Sequence, residues 1–129
     1  MELTISYSQL MLMNYDGQQP YVEWNDDDFE RGYVKADGVI IFEAISDYTC
    51  EVKVTVGKHI EKEEIVRTIS VPFIVKDEGV FITSILSNKL HISVPKGEYV
   101  LVMQATPLEE PTDDELYKIQ YEFFFESKE

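Results

Sequence analysis

Three consecutive acids, Asp26-Asp27-Asp28, most invite a chemical reading in this sequence, and that chemistry would be cation binding. A calcium loop takes oxygens from alternate positions, a central glycine and a distal glutamate, and the spacing here meets none of these. Consecutive residues on a helix point in different directions, so three adjacent carboxylates cannot converge on one ion. Asn25 can instead cap a helix whose first turn holds the acids, where the helix dipole favours them. His59 and His91 are the only two histidines, and no Cys/His pair has metal-ligand spacing. No serine sits in a strand–turn–helix elbow, and the six glycines are scattered singly rather than gathered into a phosphate loop. Cys50 is the lone cysteine, which rules out an internal disulfide, and at a strand start it reads as a small buried hydrophobe. With no catalytic constellation and no set of metal or cofactor ligands, the expectation is a non-enzymatic binding protein that needs no cofactor.

Charge narrows the partner. Against 25 acidic side chains stand 11 basic ones, a net charge of −14. Such a field repels DNA, RNA and anionic lipid and speeds encounter with basic proteins. Direct nucleic-acid binding is therefore not expected, whereas binding to a protein that itself binds nucleic acid is compatible with the charge. Acidity also serves plain solubility, and composition alone leaves both readings open. The start, Met-Glu-Leu-Thr-Ile, carries an acid where a signal peptide carries positive charge. The apolar run Leu10–Met13 is far too short for a signal core or a membrane span, so a cytoplasmic protein without membrane insertion is expected.

The elements that must position any site follow a period of two. Leu3, Ile5 and Tyr7 alternate with polar residues, as do Ile40, Phe42 and Ala44, and Val52, Val54 and Val56. The same holds for Ile69, Val71, Phe73 and Val75, for Tyr99, Leu101, Met103 and Ala105, and for Ile119, Tyr121, Phe123 and Phe125. Each run reads as a half-buried strand. Asp77-Glu78-Gly79 reads as a three-residue hairpin loop with Gly79 in the left-handed position, and Pro95-Lys96-Gly97 as a similar turn. Asp37-Gly38 suits a tight turn for backbone reasons. One segment breaks the rhythm: a helix of about two turns after Asn25, with Phe29 facing inward and Gly32 ending it. Residues 108–115, with Pro111 and five acids, read as an exposed loop before the last strand. The expected architecture is a single all-β domain over residues 1–129, an antiparallel β-sandwich of about eight strands with one short helix near residues 25–32.

Several stretches, taken in order, resemble one family, competence protein J, the DNA-entry nuclease inhibitors. They are Leu3-Thr4-Ile5-Ser6-Tyr7, Glu23-Trp24-Asn25-Asp26, Phe29-Glu30-Arg31-Gly32-Tyr33, Ala36-Asp37-Gly38 and Phe42-Glu43-Ala44. Ser70-Val71-Pro72-Phe73, the stretch Ser84-Ile85-Leu86-Ser87-Asn88-Lys89-Leu90 and Pro95-Lys96-Gly97-Glu98-Tyr99 complete them. The matches are collinear over about residues 2–106, and the tail from Pro107 is only loosely similar. The resemblance implies a protein that binds and silences a competence nuclease cutting incoming DNA. An immunity or regulatory protein for another basic partner, such as a toxin nuclease, is the alternative; a carbohydrate- or calcium-binding sandwich is a third. A DNase offers a basic groove, so the candidate contacts are acids: Glu23, Asp26, Asp27 and Asp28 around Trp24, or Glu109, Glu110, Asp113, Asp114 and Glu115. Glu43, on the solvated face of its strand, joins them. Trp24 and Tyr33 are either anchors for the partner or, with Phe42, part of the core. Oligomeric state is left open.

Overall fold

The computed structural model describes residues 1–15, 23–36, 38–60, 64–85, 87–110, 113 and 116–128. Among these, the sequence runs produce ten strands and one helix. In chain order they are β1 (Glu2–Thr4), β2 (Gln9–Asn14), α1 (Asp26–Arg31), β3 (Tyr33–Ala36), β4 (Val39–Glu43), β5 (Thr49–Val56), β6 (Arg67–Val75), β7 (Gly79–Thr83), β8 (Leu90–Ser93), β9 (Gly97–Pro107) and β10 (Ile119–Ser127). They form two five-stranded sheets, one ordered β1-β5-β10-β9-β6 and the other β3-β4-β2-β7-β8. The fold is the expected all-β sandwich. Its strands exceed the expected eight because β2, built on the continuous apolar run Leu10–Met13, and the four-residue β3 show no period of two. All pairings are antiparallel except β5 with β10, which run parallel with Val52 opposite Tyr121 and Val54 opposite Phe123.

Alternate residues of both sheets meet in one core. Leu10, Leu12, Ile40, Phe42, Val80 and Ile82 come from one side, and Val52, Val71, Leu101, Met103, Tyr121, Phe123 and Phe125 from the other. Phe42 and Phe123 touch across the sheets with ring centroids 5.7 Å apart. Each such ring contributes roughly 1.5–3 kcal/mol on burial.

The central strands are not half-buried as their alternation suggested; they are buried on both faces. On the outer side of the β4-β2 pair, Met11, Met13, Val39 and Ile41 form a second cluster beneath Trp24, Phe81 and Ile85. On the outer side of the other sheet, Val102, Gln104, Glu122 and Phe124 are buried. His59, shortly after β5, lies on that face: it sets its ring edge-on to Phe124 and engages the Glu126 carboxylate with Nδ1 and, at 2.8 Å, with its backbone N–H. These bonds to the charged form hold the Glu126 carboxyl below its ordinary value.

The two turns expected to be hairpins connect different sheets. Asp77-Glu78 carries the chain from β6 to β7, and Pro95-Lys96 carries it from β8 to β9, each passing from one layer to the other. Gly79 does not hold a left-handed conformation. Glycine is required there because a Cβ would overlap the Ile92 carbonyl and the Tyr15 hydroxyl. Asn14, wholly buried, ties the layers at the same end: its Nδ2 donates to the Ile74 carbonyl at 2.9 Å and its Oδ1 accepts from the Lys76 N–H at 2.9 Å.

Two outcomes follow for experiment. Burial pushes the Cys50 thiol up to about 12, so a thiol reagent at pH 8 should leave the native protein unlabelled and modify it fully in denaturant. Glu126 supplies the second. Because its folded pKa is depressed, its contribution is complete above its ordinary value of 4.5 and is lost as pH falls through the lower folded value. The melting-temperature advantage of the parent over Glu126→Gln should therefore be present at pH 6 and shrink steadily below pH 4.5.

Candidate functional site at the acidic end

Strand register sorts the loops to two ends of the sandwich. Gln9 lies opposite Glu43, Tyr33 opposite Phe42, Thr4 opposite Thr49, Arg67 opposite Ala105 and Ile119 opposite Pro107. One end thus collects the 5–8 turn, the start of β3 with the preceding α1, the 44–48 connection and the 108–118 connection. The described members of the two acidic groups that the sequence offered as alternatives share this end. Asp26, Asp27, Glu30, Asp47, Glu64, Glu109, Glu110 and Asp113 are exposed there, with Glu43 half-buried, against Arg31, Arg67, Lys89 and Lys118. Among the described residues the opposite end is balanced, with Lys58, Lys76, Lys96 and Lys128 beside Asp77, Glu78, Glu98 and Glu126.

The helix is built as its sequence dictates. Asn25 is the cap, its side chain accepting from the Asp28 N–H at 2.9 Å, while Asp28 Oδ2 accepts from the Asn25 N–H at 3.0 Å. Gly32 ends it at φ 83°, donating to the Asp28 carbonyl. Asp28 is only 7% exposed, and its other carboxylate oxygen pairs with Arg31. Its charge is spent on holding α1, whereas Asp26 and Asp27 face solvent. Phe29 does not face inward; it is 54% exposed and packs on Trp24 with centroids 5.2 Å apart. The helix presents only one side to the sheet, and half-buried Trp24 already covers the second cluster. Tyr33 is half-buried beneath the Arg31 guanidinium, and Phe42 is core.

Tyr7 is the residue that alternation misplaced. It sits with Ser8 in the turn between Ser6 and Gln9, at φ 57° and 55°, the left-handed region normally given to Asn-Gly. Holding non-glycine residues there costs roughly 1–2 kcal/mol each. A set of local bonds holds the turn. The Ser84 hydroxyl accepts from the Ser6 N–H at 2.9 Å and donates to the Gln9 carbonyl at 2.6 Å. Asp47 accepts from the Ser8 N–H at 2.7 Å, and the Ser8 carbonyl accepts from Ala44 at 2.8 Å. The result leaves the Tyr7 ring 68% exposed. Between this turn and α1 lies a cleft of about 210 Å³ lined by Tyr7, Ser8, Gln9, Trp24, Phe29 and Glu43. Nothing in the period-two pattern marks Tyr7 as a surface residue; only its place in the Ser6-Tyr7-Ser8 stretch, before a second strand, hints at a turn.

A second, more open groove of about 480 Å³ is bordered by Glu64, Pro107, Leu108, Glu109 and Glu110. Glu109 accepts from the Lys118 N–H at 3.1 Å and so braces its own loop. Asp114 and Glu115, with Asp37, lie outside the described residues. Among the described residues no three His, Cys, Asp or Glu side chains are grouped to hold a metal ion.

A family model of Competence protein J (ComJ) matches residues 2–126. The chain belongs to the competence protein J family. A DNA-entry nuclease inhibitor of Bacillus subtilis (strain 168) is 34% identical over 108 residues, spanning 84% of this chain and 82% of that relative. The crystal structure of ComJ, inhibitor of the DNA degrading activity of NucA, from Bacillus subtilis, is similar with a TM-score of 0.82. It is 30% identical and covers 97% of this chain and 93% of its own. The family match reaches Glu126, next to last in β10, so the loosely similar tail belongs to the same fold.

The cap gives this family member a specific liability. Replacing Asn25 with Ala should cost about 1 kcal/mol, measured by denaturant unfolding. Asp28→Ala should cost more than Asp26→Ala, since only Asp28 closes the cap and pairs with Arg31.

Proposed function

We propose that this protein inhibits a DNA-entry nuclease by seating its acidic end in the enzyme's basic DNA-binding groove. The observation that carries the mechanism is the gathering of the described members of both acidic groups at one end, while the described charges of the opposite end balance. Membership of a family whose relatives are named as nuclease inhibitors supports the partner. Contacts in this reading come from Asp26, Asp27, Glu43, Glu110 and Asp113, with Glu23, Trp24 and Glu109 at the margins. Asp28 supports the surface from beneath. The carboxylates take the place of phosphates, and their field raises the association rate more than it lengthens the complex lifetime. The protein performs no chemistry of its own. A cytoplasmic setting belongs to the same proposal.

The test is plasmid digestion by the cognate nuclease with increasing inhibitor, in low and moderate salt. Inhibition should saturate near one-to-one and leave unrelated nucleases unaffected. The triple variant Asp26→Asn, Asp27→Asn, Glu110→Gln should inhibit about tenfold less well at low salt and lose much of the salt dependence. Asp77→Asn with Glu78→Gln, at the balanced end, should change neither. No inhibition at about tenfold excess over the nuclease would sink the reading.

A further inference from the structure

We infer that the cleft between the Tyr7–Ser8 turn and α1 receives one cationic side chain, an arginine by preference, from the basic face of the partner. The partner's identity rests on the nuclease-inhibitor reading; the chemistry of the occupant rests on the cleft. Its walls are the rings of Tyr7, Trp24 and Phe29, and it holds one carboxylate, Glu43. The Glu43 backbone is fully engaged, its N–H donating to the Gly32 carbonyl at 2.8 Å and its carbonyl accepting from Arg67 Nη1 at 2.7 Å. That engagement fixes the residue while its carboxylate has no ion-pair partner among the described residues. Arg31, the cation on the adjacent helix, is committed to Asp28 and to the face of Tyr33.

Aromatic walls around a carboxylate suit a guanidinium. It is planar, stacks on aromatic faces, sheds water more readily than an ammonium, and carries a fork that matches a carboxylate. A neutral apolar side chain would desolvate Glu43 with nothing to pair it. A second copy of this chain would bring one net charge of −14 against another. Exposed Asp26 and Asp27 beside the cleft extend the same complementarity outward. The bonds from Ser84 and Asp47 fix the Tyr7 turn before any partner arrives, so little ordering is left to the moment of binding.

Trp24 is the only tryptophan, so its emission reports on the cleft directly. The full chain is titrated with N-acetyl-arginine amide and, separately, with its neutral isostere N-acetyl-citrulline amide. Arginine amide should give a saturable change with a dissociation constant on the order of millimolar, the range of one cation–π contact with one ion pair. Citrulline amide should give none, and Glu43→Gln should abolish the arginine response. In the nuclease complex, Glu43→Gln should speed dissociation about tenfold, as loss of a central anchor does, while Glu98→Gln leaves it unchanged. A flat arginine titration, or an equal response to citrulline, overturns the cleft even where inhibition is intact. An arginine response in a protein that inhibits no nuclease keeps the cleft and removes the nuclease as its partner. Should Glu43→Gln fail to match the parent's melting temperature, the arginine and citrulline titrations of the parent decide by themselves.

Discussion

The contact of Phe42 with Phe123 across the two sheets, and the layer of apolar side chains around it, is the constraint on which the rest of this molecule depends. Side chains that interdigitate between two sheets leave no freedom to slide a strand by one residue, since a slip would turn every core ring to the outside. Register in turn fixes where each loop leaves the sandwich. Buried polar groups tie those loops back to the core. Tyr121, its hydroxyl buried and pushed up to about 12 by that burial, accepts from the Ile45 N–H at 2.9 Å. Ser46 accepts from the Tyr117 N–H at 3.1 Å and so joins the β4–β5 connection to the approach to β10. The acidic end is a set of loops, but it is braced by the same strands that pack the core.

Gathering carboxylates at one end is unfavourable for the isolated protein, because like charges repel at short range. The basic residues present at that end do little to relieve it. Arg31 is held by Asp28, Arg67 donates to the Glu43 carbonyl, Lys118 lies near Glu2 and Glu51, and Lys89 lies over the Phe81 ring. Each supports local structure and leaves the neighbouring exposed acids unneutralised. The strained Tyr7–Ser8 turn lies in the same small region. A stable core tolerates both costs, and a basic partner would offset the first of them.

Much of this was legible in the amino-acid sequence. Alternating apolar residues gave the strands and the sandwich class; Asn25, the following acids and Gly32 marked a capped helix at its observed place; collinear family stretches pointed to competence protein J. The misreadings share one cause. Asp77-Glu78-Gly79 and Pro95-Lys96-Gly97 have the composition of hairpin turns, yet each crosses between sheets. Turn residues encode a reversal of direction and say nothing of which sheet the next strand joins. Gly79 was expected for a left-handed conformation and is required for space, which depends on Tyr15 and the Ile92 carbonyl arriving beside it.

By itself the sequence determined the properties that depend on neighbours along the chain: the period of each strand, the helix cap, the absence of an internal disulfide and a net charge that favours basic partners. Tertiary structure alone decided which acids act together. Asp26 and Glu110 are far apart in sequence and share an end because β3 and β9 each have a terminus there. It also decided that Phe29 and Tyr7 stand at the surface. Exposure is set by what packs above a residue, and in a two-sheet sandwich the groups that pack above a strand or helix come from segments distant along the chain.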